Sequence, residues 1–185
     1  MNRELLREAA EWSLISLLLM PPEEDWEEQI VAIASEAGDP GLRNAAEAAC
    51  READRALYHT LFGPGGVVRP RAVSHSPGTM PEKMLSQLRG FYQAFGYRPR
   101  VKEPPDHVAV MTGFVAYLRL KQAMGGPKQA RKAAGTLVRF IGEHLECPAQ
   151  SLARDLEPCG VSYLACAAQA LVGKVEGIKR EISTK

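Results

Sequence analysis

Glu103-Pro104-Pro105-Asp106-His107, set directly before the apolar-periodic run Val108 to Leu120, is the densest group of chemically capable side chains in the sequence. Each proline fixes φ, withholds a backbone donor and pushes its predecessor out of the α region, so the chain enters extended and leaves as helix. The corner is stiff. It sets two carboxylates and an imidazole at the positive end of a helix dipole, where anionic groups are stabilised and a histidine cation is not. Carboxylates on a rigid corner beside an apolar helix suit recognition of a peptide better than catalysis. The same residues also read as a plain helix start, with Glu103 or Asp106 satisfying orphan N–H groups and His107 partly buried.

Catalytic and metal-binding alternatives demand other constellations. Gly63, Gly65 and Gly66 form a glycine-rich loop, but the P-loop lysine and hydroxyl are absent, no strand is expected before it, and no GxGxxG fingerprint occurs. His59, His75, His107 and His144 are never paired at i, i+4, which excludes a helix-borne HExxH site. Cys50, Cys147, Cys159 and Cys166 contain no CxxC pair, so no metal is expected and reduced, buried thiols are the reading. No spacing marks a Ser-His or Cys-His pair, although such partners meet in space rather than in sequence. Neither enzymatic activity nor a cofactor is expected.

The composition, 45% hydrophobic and 24% charged with a formal net charge of +1 over 185 residues, is that of a soluble globular chain and predicts no field for nucleic acid. The basic run Lys174 to Lys185 reads as the solvated face of a last helix. No run reaches the roughly 20 apolar residues of a membrane span. The N-terminus mixes Arg3, Glu4, Arg7, Glu8 and Glu11 and fails as a signal peptide. The expected location is the cytoplasm.

Nearly every segment around the corner reads as helix. Asn2 caps a first helix to Met20, with Leu5, Leu6, Ala9, Trp12 and Leu17 on its apolar side. A second runs from the acidic turn Glu23-Glu24-Asp25 to Ala37, and Asp39-Pro40 starts a third that reaches about Phe62. Gly63 to Pro81 is too rich in glycine and proline for a regular element. Thr79-Met80-Pro81-Glu82 resembles a capping box before a helix carrying Met84, Leu88, Phe91, Tyr92 and Phe95, which Gly96 ends. Beyond the corner, Met111, Phe114, Val115 and Leu118 form one buried stripe. A helix with Leu137, Val138 and Ile141 inward reaches about Leu145, and Cys147-Pro148 restarts a short one ending near Pro158. The last carries Leu164, Ala168, Leu171, Val172, Val175 and Ile178 on one face. The expected fold is all-α, a compact multi-helix bundle over 1–185 with helical parts of about 1–62 and 81–185 around a loop at 63–80.

Tyr58-His59-Thr60-Leu61-Phe62-Gly63-Pro64-Gly65, followed by Pro70, closes the third helix. Taken with Glu103-Pro104-Pro105-Asp106-His107 and Phe114-Val115-Ala116-Tyr117-Leu118, it resembles the TorD-type family (the TorD/DmsD/NarJ-like group) of molybdoenzyme maturation chaperones. Tyr92 with Gly96, the Phe140 to Leu145 segment and Val161-Ser162-Tyr163-Leu164-Ala165 extend the likeness over most of the chain. Two departures stand out. Arg71-Ala72-Val73-Ser74-His75 replaces an aromatic, acidic and hydroxyl run, and Met111 and Gly113 stand where acidic residues usually face away from the core stripe.

The resemblance implies a cytoplasmic chaperone that binds the twin-arginine N-terminal signal peptide, or the catalytic subunit, of a molybdenum oxidoreductase until the cofactor is inserted. A peptide with two arginines and an apolar stretch needs carboxylates beside an apolar groove. Glu103 and Asp106 are the expected carboxylates, with Pro104, Pro105 and His107 completing the corner. Tyr58, Phe62, Met111, Phe114, Met80 and Met84 are the expected adaptable apolar surface. Asp106 and His107 are read as recognition groups. The competing reading is a helical protein that binds a nucleotide, another small molecule or the molybdenum cofactor, with the 63–81 loop as anion site. Monomer and homodimer, with or without helix exchange, both remain compatible with the sequence.

Overall fold

Asn2 accepts hydrogen bonds from the backbone N–H groups of Glu4 and Leu5 at 3.1 and 3.3 Å, and so starts α1 (Arg3–Leu18) as its sequence predicts. The computed structural model describes residues 2–76, 78, 80–99 and 102–183. Among them follow α2 (Trp26–Glu36), α3 (Pro40–Glu52), α4 (Arg55–Phe62), α5 (Pro81–Phe95), α6 (Val108–Met124), α7 (Pro127–Phe140), α8 (Glu146–Leu156) and α9 (Ser162–Ser183). The fold is all-α, and the described residues form no strand. No described helix is long and apolar enough to cross a membrane.

The interior is built around α6, which is buried on nearly every side: Val108 to Met111, Phe114, Val115 and Leu118 are each at most 1% exposed. A helix apolar all round has to sit in the middle of a bundle, and α1, α7 and the aromatic residues of α5 surround it. The contact with α1 is close because position 113 is glycine. A Cβ there would meet the Tyr97 hydroxyl at 2.7 Å and Ser16 Oγ at 3.1 Å, and both groups are held, by the carbonyls of Val110 and Ala109. Met111 and Gly113 therefore face inward, and the outward surface that the sequence assigns to those two positions does not exist.

The expected third helix divides. Ala53 is extended, and Asp54 accepts from the Leu57 N–H at 3.1 Å, which caps α4 separately. The cap lies in a run of good helix formers, so periodicity alone does not reveal it. It aims α4, with Tyr58 and Phe62, independently of α3. The opposite happens near Cys147, where the sequence predicts a restart. Ile141–Leu145 forms a wide π-type turn that runs straight into α8, and Pro148 sits in that helix's first turn. Proline is tolerated in a first helical turn, and the Glu146 N–H reaches back five residues to the Ile141 carbonyl.

Smaller corrections have equally plain causes. On α1, Ala9, Trp12, Leu14, Ile15 and Leu18 are buried while Leu5, Leu6 and Leu17 stay partly exposed, since α6, α9 and α2 all pack on the first set. Val138 is 37% exposed beside the buried Leu137 and Ile141. On α9 Leu164, Ala168, Leu171, Val175 and Ile178 are buried as expected, and Val172 only partly. Met80 is the residue before α5 and Pro81 its first residue; Thr79 lies outside the described residues.

None of the cysteines is fully buried: Cys147 and Cys166 are exposed, Cys50 and Cys159 intermediate, and all four are free thiols. The basic C-terminal run is not merely solvated. Lys174 pairs with Glu11 and Lys179 with Glu146, and Thr184 and Lys185 lie outside the described residues. Glu11, 7% exposed, also accepts from the backbone N–H groups of Gly38 and Asp39 at 3.0 Å each, so one carboxylate ties α1, the α2–α3 corner and α9 together. A buried charge with this many partners is satisfied rather than stranded.

Candidate functional site

The chain after α4 folds back as a strap over the proline corner. The Val108 N–H donates to the Pro70 carbonyl at 2.8 Å, the Ala72 N–H donates to the Asp106 carbonyl at 2.8 Å, and Arg71 and His107 form an isolated antiparallel bridge. The turn that makes this possible depends on two close approaches. A Cβ at Gly63 would lie 2.3 Å from the His59 carbonyl oxygen, and one at Gly66 2.2 Å from that of Leu61. Only glycine fits both positions without moving the backbone.

Asp106 is wholly buried, and its carboxylate is engaged within the chain. Arg71 donates to it from Nη2 at 2.8 Å and from Nε at 3.1 and 3.2 Å, and the Val73 N–H donates at 3.4 Å. This is the fork geometry in which guanidinium–carboxylate pairs are strongest. The Arg71 side chain itself is 41% exposed. Tyr92 braces the corner from α5 by donating its hydroxyl to the Pro105 carbonyl at 2.6 Å.

His107, 2% exposed, caps α6: its Nδ1 accepts from the Ala109 N–H at 3.2 Å. That role fixes the tautomer, with the proton on Nε2, which faces the Tyr58 hydroxyl at 3.4 Å. Burial lowers the His107 pKa from 6.5 to about 4, with Asp106 opposing the shift and Arg71 adding to it. Burial also lowers that of His144, which lies between the Phe91 and Phe140 rings. An unfolded His107 binds its proton near pH 6.5 and the folded one only near 4. Its contribution is therefore complete above 6.5 and is lost as pH falls from 6.5 through 4, by about 3 kcal/mol in full. His107→Asn, which keeps a capping acceptor, should flatten the fall in stability between pH 6.5 and 4 measured by urea unfolding; an unchanged slope would assign it to His144 or to carboxylates.

In front of the corner lies a cleft of about 490 Å³. Its lining includes Tyr58 and Phe62, stacked at 4.7 Å between ring centroids, the glycine turn, Arg69, Glu103 and Pro104. Tyr58 has its hydroxyl pKa pushed up by burial and then by the nearby Glu103. Glu103 is half-buried and makes no ion pair with a described residue.

The structure thus brings Tyr58, Phe62, Glu103, Pro104 and His107 to one cleft, with Pro105 and Asp106 directly behind it. Met111 and Phe114 lie at 0% exposure in the core, and Met84 at 4%, whereas Met80 is 66% exposed. Arg71, Arg69 and Tyr92 are the site residues that motif reading passes over. Arg71 shows as a departure from a family pattern, yet its partnership with Asp106 across 35 positions is purely spatial. Among the described residues no cluster of His, Cys, Asp and Glu could hold a metal ion.

A family model described as nitrate reductase delta subunit matches residues 22–147, a stretch that contains α4, the strap, the proline corner and α6. No curated protein and no solved structure gives a significant match.

Proposed function

Because the chain belongs to the nitrate reductase delta subunit family, redox-enzyme maturation chaperones of TorD-like type and not catalysts, we propose that it captures an N-terminal segment of its client at the proline corner. The client is the catalytic subunit of a molybdenum-containing oxidoreductase, and the segment carries two arginines followed by an apolar stretch. Capture takes place in the cytoplasm, with residues 1–185 acting as one helical unit, and holds the subunit until its cofactor is inserted and assembly can proceed.

The observation that carries this reading is the pairing of Glu103, without an ionic partner among the described residues, with the stacked Tyr58 and Phe62 across one cleft. A guanidinium docks on the carboxylate while the apolar residues that follow cover the two rings. Asp106 serves that cleft from behind and His107 from its lining: their bonds to Arg71, Val73 and Ala109 hold the corner that bears Glu103 and Pro104. Met111 and Phe114 support it from the core, through the register of α6.

Titration calorimetry with a synthetic peptide of Arg-Arg and an apolar run should show binding to the native chain. Glu103→Gln should weaken it roughly tenfold, the worth of one charge-assisted hydrogen bond. Equal affinity in the variant would remove Glu103 from the reading. Melting raised by a guanine nucleotide and untouched by the peptide would favour a small-molecule receptor instead.

A further inference from the structure

A larger cavity than the cleft lies elsewhere. A groove of about 920 Å³ runs between α1 and α2, with Leu6, Ala10, Ala32, Ile33 and Leu120 as its apolar lining. Its rim is basic. Arg3 and Arg7, one turn apart on α1, are exposed and make no ion pair with a described residue. The stem of Arg7 lies across Gly38, where a Cβ would come within 2.4 Å of its Cδ, and Arg43 on the far side donates to the Ala37 carbonyl at 2.8 Å. Glu36 is the single carboxylate among the described residues of the lining.

We infer that this groove is a second docking site, for an amphipathic helix that carries carboxylates along one border of its apolar face. Three features select that occupant. The small residues of the floor let another helix approach closely, as packing of ridges into grooves requires. The backbone groups of α1 and α2 are engaged inside their own helices, so an extended segment finds no ladder to join, whereas a helix brings its hydrogen bonds with it. Arg3 and Arg7 stand at the i, i+4 spacing at which carboxylates on a facing helix recur.

The charge pattern also separates this site from the proline corner. An Arg-Arg segment is repelled by three guanidinium groups, and an acidic helix has no cationic counterpart in Glu103. The two sites accordingly take different segments, and the groove goes beyond capture of the N-terminal peptide.

The test is fluorescence anisotropy of the full chain with a labelled Ala/Leu/Glu amphipathic peptide of about 18 residues, five turns of helix. A counterpart with lysine at each glutamate is the control. The glutamate peptide should bind at least about tenfold more tightly than the lysine one, and Arg3→Glu with Arg7→Glu should remove about tenfold of that affinity, given two exposed attractions turned to repulsions. Ala10→Trp, which fills the groove without touching a charge, should also block binding, with circular dichroism confirming the fold of each variant. Equal binding of the two peptides, affinity untouched by the arginine reversals, or competition by the Arg-Arg peptide would each overturn the inference. So would a dimer of the native chain that the arginine reversals dissolve, since the occupant would then be a second copy.

Discussion

Arg71→Leu should lower the stability of the folded chain by about 3 kcal/mol, and Asp106→Asn by less, about 1–2 kcal/mol. The asymmetry follows from where each charge is left. Without Arg71, the Asp106 carboxylate stays at 0% exposure with only the Val73 N–H for company. Without the carboxylate, the guanidinium is already 41% exposed and turns into water. The first value is taken from the lower end for broken buried pairs because the pair opens to solvent on that side. Urea denaturation of the two variants measures both numbers. Equal costs, or the reverse order, would mean that the strap is not held by this pair. The result bears on the proposed capture because the strap, through Pro70, Arg71 and Ala72, is bonded to the corner that carries Glu103.

Phe114→Ala should cost about 4 kcal/mol, the range for an aromatic residue lost from a well-packed interior. Phe114 is fully buried, and the rings of Tyr92 and Phe140 lie 4.9 Å away, that of Tyr97 5.3 Å and that of Phe95 6.2 Å. These come from α5, its following turn and α7, so one truncation opens the seams between α6 and both neighbours. A lower melting temperature with peptide affinity retained well below the melt would agree with a purely supporting role. A stable variant with abolished peptide binding would instead place Phe114 in contact with the client.

The helical elements and the core of α6 were legible in the sequence because their signals are local. Asn2, Asp39, Pro81, Gly96 and the proline pair mark boundaries through φ, ψ and side-chain oxygens alone. Asp54 was hidden for a different reason: a cap inside a continuous run of helix formers leaves the apolar period unbroken. The π turn at Ile141–Leu145 is not legible because Pro148 ordinarily signals a break, whereas here it sits in the first turn of a helix that continues from the π turn.

The site was legible only in outline. Glu103 to His107 and Tyr58 to Phe62 are motif-like, and they do converge. What the motif conceals is direction. A carboxylate before a helix reads the same whether it faces outward or an internal arginine, and only the strap, closing over 35 positions, shows that Asp106 is engaged, whereas Glu103 forms no ion pair with a described residue. Gly113 offers the same lesson in reverse. It reads as a lost surface charge, yet it is the contact that lets α1 and α6 approach.

Placement of the peptide tests capture of the client segment by the cleft most directly. A photo-crosslinking amino acid at position 62, on the cleft wall, and another at position 32, in the α1–α2 groove, should be irradiated with the Arg-Arg peptide and the adducts mapped by mass spectrometry. Capture at the cleft should give crosslinks from position 62 that Glu103→Gln diminishes, and none from position 32. Crosslinks from position 32 alone, or crosslinks from position 62 that ignore Glu103, would contradict it.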